Sequence, residues 1–197
     1  MHNIPNTIPA AAAVSGDHLY AAWRTTEKNL LANTAETANA PFKHGGCLDI
    51  MLATDATAPA DRAAPVPGDL RLLVTRVKDK PLALVYRAKV PGTKEPVPFS
   101  SPWRTVNIDV VEDVSSSVSL ATDNAGSYEI SVPLSALKWQ PKPGETFKAD
   151  IGVLRGANGQ TTQRVYWANK ATAITADVPS EAELTPKLWG KWKIVGE

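Results

Sequence analysis

Cysteine, methionine and histidine are scarce in this sequence, which has one, two and three of them in 197 residues. A lone cysteine cannot form an internal disulfide, so cysteine usage leaves the redox compartment open. Cys47 lies beside the apolar run 48–53, which favours a buried small side chain over a reactive thiol. No apolar run approaches the ~20 residues of a membrane-spanning helix, so we predict no membrane span.

A dominant charge is also missing. The 21 basic and 20 acidic residues are interspersed and leave a formal net charge of +1. Such a chain has no basic surface typical of nucleic-acid or anionic-membrane binding. The first residues lack the charged-then-apolar pattern of a secretory signal, so any signal would belong to a longer precursor.

Sequence motifs of enzymes are absent as well. We find no G-x-S-x-G, no H-E-x-x-H, no P-loop and no dinucleotide fingerprint. The histidines lack the spacing of a metal-binding pair, and no two carboxylates can be assigned as a glycosidase acid and base. We therefore predict that the protein is not an enzyme.

One loop carries carboxylates that could bind calcium. Asp55, Asp61 and Asp69 lie in or beside a segment rich in proline and alanine. Flexible loops with hard oxygen ligands can hold Ca²⁺, although no twelve-residue EF-hand pattern is present. Aspartates that stabilise turns are the alternative interpretation of the same residues.

The pattern of short apolar segments predicts an all-β fold. Runs at 70–77 and 82–90 flank a Lys-Asp-Lys-Pro turn, which indicates a hairpin. About nine to eleven such strands follow one another without a long amphipathic helix, an internal repeat or a linker. We predict an antiparallel β-sandwich with long loops, formed as a single domain by residues 1–197.

The C-terminal fifth, residues 162–194, holds three of the six tryptophans. In its last strand Trp192 and Ile194 should point one way and Lys191 and Lys193 the other. We predict that Trp192 packs in the core, and the same holds for three further tryptophans: Trp23, Trp139 and Trp189. Trp103 and Trp167 lie next to polar loop residues and could belong either to the core or to a ligand site.

Several segments together resemble the family 9 carbohydrate-binding modules and their relatives in the DOMON-like superfamily. These segments occur in the family's order and span nearly the whole chain: HLYAAW, PFKHGGCLDIMLATD, GDLRLLVT, YEISVPLSAL, FKADIGVL, QRVYWAN and LWGKWKI. The resemblance implies an immunoglobulin-like or jelly-roll sandwich that binds sugars in an aromatic slot, often with structural calcium. It also implies a secreted or periplasmic bacterial module that is joined to other domains of a longer protein.

The resemblance further implies a set of sugar-binding residues. Phe42 and Trp167 would stack on sugar rings, and Asp49, Arg71 and Asn169 would bind hydroxyl groups. Further candidates in the same loops are Lys43, Trp103 and Lys170. The segment 177–187 has no aromatic residue, although the family has a second stacking tryptophan before its final strand.

Two alternatives compete with sugar binding. Some DOMON relatives hold haem between a methionine and a histidine, and Met51 and His44 are the pair that this sequence offers. The other alternative is a structural or protein-docking accessory domain that has no sugar ligand.

Overall fold

The computed structural model describes residues 8–36, 39–123, 125–172 and 175–196. Within these residues the chain forms fourteen β-strands and two short α-helices. The strands are β1 Ala10–Ser15, β2 His18–Arg24, β3 Ala32–Asn33, β4 Cys47–Ala53, β5 Asp69–Val77, β6 Lys80–Arg87, β7 Val97–Ser100, β8 Thr105–Ile108, β9 Val110–Asp113, β10 Ser119–Thr122, β11 Ser127–Pro133, β12 Thr146–Ala157, β13 Gln160–Tyr166 and β14 Gly190–Lys193. The helices are α1 Leu134–Leu137 and α2 Val178–Ala182.

The strands form two sheets and a separate hairpin. Sheet A has the order β1-β2-β11-β10, and sheet B has the order β13-β12-β4-β5-β6-β9. In sheet B, β14 also pairs with β12, and the two-residue β3 lies parallel to β5. β7 and β8 pair only with each other among the described strands. The predicted all-β sandwich with antiparallel sheets is therefore confirmed.

A hydrophobic core lies between the two sheets. Every second residue of β2 and β11 enters it, as the period of two of a half-buried strand requires. These residues are Leu19, Ala21, Trp23, Tyr128, Ile130 and Val132. Sheet B contributes matching residues from β4, β5, β6 and β12, and Trp139 after α1 packs beside them.

A second apolar cluster covers the opposite face of sheet B. It contains Phe42, Met51, Tyr86, Tyr166 and Trp189 together with Phe99 of β7 and Ala182 of α2. We call it the outer cluster, and we call the β7–β8 hairpin with α2 its cover. Because both faces of sheet B are covered, all of β4 is buried and its residues do not alternate with solvent.

The strand number exceeds the nine to eleven that we predicted. The apolar alternation over 103–111 predicts one strand, but the structure divides it at Asp109, because β8 pairs with β7 whereas β9 pairs with β6. β7 lies in the segment 91–102, whose four prolines predict a loop rather than a strand. None of the helices in the described ranges is long and apolar enough to cross a membrane.

Candidate functional site

Three of the predicted sugar-binding residues lie together inside the outer cluster. Asp49 of β4 and Arg71 of β5 form an ion pair, with 2.7 Å between Arg71 Nη2 and Asp49 Oδ2. The Arg71 guanidinium lies 5.2 Å from the centre of the Phe42 ring. The exposed fraction is 0% for Phe42 and 1% for Arg71, so neither side chain is at the protein surface.

The polar atoms of this cluster are bonded to each other. The Tyr166 hydroxyl donates to Asp49 Oδ2 at 2.6 Å, and Arg71 Nη1 donates to the Glu181 carbonyl oxygen at 2.8 Å. Burial disfavours the charged form of Arg71, but the adjoining Asp49 carboxylate outweighs it and raises the pKa of Arg71. Removing one member of such a buried pair typically costs about 3–5 kcal/mol, because the other member is then left as an uncompensated buried charge.

Lys43 ties the cover to the body of the protein. Its Nζ lies 2.7 Å from Oε1 of Glu181, which belongs to α2 and is fully buried. At the outer end of the cover, Arg104 beyond β7 bonds Glu183 at 2.8 Å in an exposed pair. The sequence candidates Phe42, Lys43, Asp49 and Arg71 thus converge in space, beneath α2 and the β7–β8 hairpin.

A groove lies elsewhere, along one side of the sandwich. It has a volume of about 740 Å³ and runs between β1, the edge strand of sheet A, and β13 and β14 of sheet B. We call it the edge groove. Its floor is formed by core residues: Leu19, Trp23, Trp139, Ile151 and Val165. Its size is within the roughly 300–1,000 Å³ that is usual for ligand pockets.

The two walls of the edge groove differ in chemistry. On one side β1 presents the alanines 10–13, whose short side chains keep that wall shallow. On the other side are Trp192 and Ile194 with Trp167, followed by the basic residues Lys170, Lys191 and Lys193. Among the described strands β1 pairs only with β2, so its free edge offers backbone N–H and C=O groups to the groove.

Trp167 is the exposed aromatic residue of the edge groove. It follows β13, and 54% of its surface is accessible. Its indole lies against the backbone of Gly190, because a Cβ at that glycine would come within 2.1 Å of Trp167 Cζ3. A flat ring supported in this way needs little reorganisation before another ring stacks on it.

Asp150 of β12 holds the turn that carries Trp167. Its carboxylate accepts hydrogen bonds from the backbone N–H groups of Ala168 at 2.9 Å and Asn169 at 2.7 Å. Burial raises the pKa of Asp150, and these N–H bonds oppose that shift. The Trp167 backbone N–H also donates to the Ile151 carbonyl oxygen, so the turn is fixed at two points on β12.

The two polar candidates next to Trp167 have different environments. Asn169 is buried, and its side chain bonds Thr172 and the backbone N–H of Ala171 within its own turn. Lys170 is exposed, and its Nζ donates to the Tyr166 carbonyl oxygen at the end of the edge groove. Of the two, Lys170 is the side chain that a ligand in the edge groove could reach.

Trp103 lies far more in the open, with 88% of its surface accessible. It belongs to the turn between β7 and β8 on the cover, and it is not a lining residue of the edge groove. The residues suggested by sequence are therefore divided among three places: the outer cluster, the edge groove and the tip of the cover.

The predicted calcium ligands are not brought together. Asp69 accepts from Arg62 Nε at 2.8 Å, and Asp55 accepts from the backbone N–H of Thr57 at 2.8 Å. No group of three His, Cys, Asp or Glu side chains in the described part of the chain could hold a metal ion. Asp55 thus acts as a turn residue and Asp69 as an ion-pair partner, while calcium binding remains a prediction.

The proposed haem ligands have contrasting positions, since His44 is exposed whereas Met51 is buried in the outer cluster. Cys47 is buried as expected, and burial raises the pKa of its thiol to about 12. The thiol is therefore protonated at neutral pH, as a structural cysteine should be.

Sequence reasoning did not find most of the edge groove. Trp23, Trp139 and Trp192 were predicted to be core residues, and the first two are buried, yet all three line the groove. The groove lies between β1 and β14, which belong to different sheets and do not pair with each other. No periodicity within a strand signals such a gap.

No protein-family model matches this sequence, and no curated protein matches it either. The resemblance to family 9 carbohydrate-binding modules therefore rests on the quoted segments alone.

Proposed function

We propose that this chain is a non-catalytic carbohydrate-binding module and that a sugar ring stacks on Trp167 in the edge groove. The observation that carries the proposal is the half-exposed Trp167 indole, supported from behind by Gly190 and held at the mouth of an apolar groove. Sugar rings present apolar C–H faces that pack on flat aromatic surfaces. Trp192 lies along the same wall and supplies further aromatic surface.

The proposed site differs from the one implied by the family resemblance. Trp167 and Lys170 remain in it, whereas Phe42, Asp49 and Arg71 act beneath the cover as structural groups. Asp49 and Arg71 are buried and cannot bind sugar hydroxyls. The backbone groups at the free edge of β1 take over part of that task, because they can both donate to and accept from hydroxyls.

Calorimetric titration across a panel of oligosaccharides tests this proposal. We expect at least one sugar to bind, and Trp167→Ala to weaken it roughly 30-fold, about 2 kcal/mol, as for other central aromatic contacts. The matched variant is Trp103→Ala, which removes a more exposed indole from the cover. Unchanged affinity in Trp167→Ala would overturn the site, and loss of affinity in Trp103→Ala would move it to the cover.

A structural or protein-docking domain is the second candidate. It is favoured by the burial of Phe42, Asp49 and Arg71, which leaves much of the family's expected binding set without access to solvent. Failure of every oligosaccharide to bind would favour this candidate over the first.

A further inference from the structure

The side chains that line the edge groove include many hydrogen-bond donors and hardly any acceptors, which limits the kind of ligand that fits. Its described lining residues include four tryptophans and three lysines, but no Asp, Glu, Asn, Gln, Ser, Thr or His. Tryptophan and lysine side chains donate hydrogen bonds and accept none. The hydroxyl of Tyr166, which also lines the groove, is already bonded to Asp49 in the outer cluster.

Two of these donors have no partner among the residues that the structure describes. The Nε1 atoms of Trp23 and Trp139 are buried and meet no hydrogen-bond acceptor. Both residues belong to the floor of the edge groove. Because neither Nε1 atom is accessible to solvent, the donors that a ligand meets in the groove are those of the exposed lining residues, Trp167 and the three lysines.

The charge of the lining points in the same direction. The whole chain has a formal net charge of +1, yet the described residues that line the groove include three lysines and no carboxylate. Lys191 and Lys193 point to the face of β14 opposite Trp192, so they attract an anionic ligand by their electrostatic field rather than by direct contact. Lys170 lies at the end of the groove. Asp150 is not a lining residue, and its oxygens accept from three backbone N–H groups.

We infer that the ligand of the edge groove is an acidic oligosaccharide, which carries carboxylate or sulfate groups on its sugar rings. The inference rests on the proposed function, since it names the class of sugar that stacks on Trp167. A neutral sugar presents hydroxyl groups that both donate and accept. Backbone C=O groups such as those of β1 can accept from some of them, whereas the exposed lining side chains can only donate. An acidic sugar replaces some of these hydroxyls with groups that only accept and that are attracted by the lysines.

The test compares three oligosaccharides of equal length by calorimetry at 20 and 300 mM NaCl: a neutral xylo-oligosaccharide, an oligogalacturonate and a sulfated heparin-derived oligosaccharide. We expect one acidic oligosaccharide to bind roughly tenfold more tightly than the neutral one, about 1.4 kcal/mol. That advantage should shrink at 300 mM NaCl, since salt screens exposed charges. The carboxylate and sulfate arms distinguish the two sources of negative charge.

Variants separate the inference from the proposed function. The double variant Lys170→Gln/Lys193→Gln should lose the preference for the acidic sugar, so that it binds the acidic and the neutral sugar with similar affinity. Lys80→Gln, at the exposed start of β6 on the far side of sheet B, should behave like the wild type. Tighter or equal binding of the neutral sugar would overturn the inference and leave the proposed function intact. No binding of any of the three would overturn the inference, and no binding across the whole oligosaccharide panel would overturn the proposed function as well.

Discussion

At the scale of single residues, the same side-chain type takes opposite roles according to its surroundings. Asp49 is a structural anion paired with Arg71, whereas Asp150 positions the Trp167 turn through backbone N–H groups. Both lie within strands of sheet B, Asp49 in β4 and Asp150 in β12. They differ in their hydrogen-bond donors: Asp49 accepts from the Arg71 cation, whereas Asp150 accepts from neutral backbone amides.

Asp150 predicts a specific pH dependence. Its folded-state pKa is raised above 3.8, so between 3.8 and the raised value the folded protein binds this proton more tightly than the unfolded chain. Its contribution to stability is therefore largest below pH 3.8 and is lost as the pH rises through the folded pKa. In urea titrations, the unfolding free energy of the wild type should increase relative to Asp150→Asn as the pH falls through this interval.

The exposed Asp123 provides the opposite case. Hydrogen bonds from Ser127 lower its pKa, so its contribution is present above 3.8 and is lost on acidification. Relative to Asp123→Asn, the wild type should therefore lose stability as the pH falls.

For Asp150, parallel pH profiles of the unfolding free energy in the wild type and in Asp150→Asn would contradict the raised folded-state pKa of this residue.

At the scale of elements, pattern reasoning succeeded where contacts are local. The β5–β6 hairpin, the alternation of β11 and the terminal strand β14 all follow from side-chain period and turn residues. It failed where distant segments decide the outcome. Phe42 and Trp167 look alike in sequence, each an aromatic residue near a lysine, yet β7 and α2 cover the first and leave the second open.

Gly190 links the terminal strand to the candidate site. An added Cβ would lie 2.1 Å from Trp167 Cζ3, so Gly190→Ala should displace the indole while β14 keeps its pairing with β12. We expect sugar affinity to fall about as far as in Trp167→Ala, with a change in tryptophan fluorescence. Adding Gly190→Ala to Trp167→Ala should cause no further loss, because the two changes act through one contact.

A second glycine serves as the control for this prediction. A Cβ at Gly196 would meet Pro143 at an ordinary 3.4 Å, so Gly196→Ala should bind like the wild type. Full affinity in Gly190→Ala would show that the position of Trp167 is not fixed by this glycine.

At the scale of the molecule, sheet B is a shared layer between two apolar clusters. Sheet A covers one face over the main core, and the β7–β8 hairpin with α2 covers the other. The outer cluster holds three aromatic rings in contact, with centroid distances of 5.8 Å for Phe42–Phe99 and 6.1 Å for Tyr86–Phe99. The cover therefore contributes to stability and also closes off Phe42 and Arg71.

Shortening Phe99 tests both consequences at once. Phe99→Ala should lower the unfolding free energy by about 3–5 kcal/mol, because it leaves a cavity among buried rings. Trp103→Ala on the same hairpin should change it by no more than about 0.5 kcal/mol, since that side chain is exposed. Affinity for sugar in the folded Phe99→Ala protein should match the wild type, because the edge groove lies on another side of sheet B. A gain in affinity that is abolished by adding Arg71→Met would instead mean that the cover hides a second sugar site, the one that the family resemblance implies.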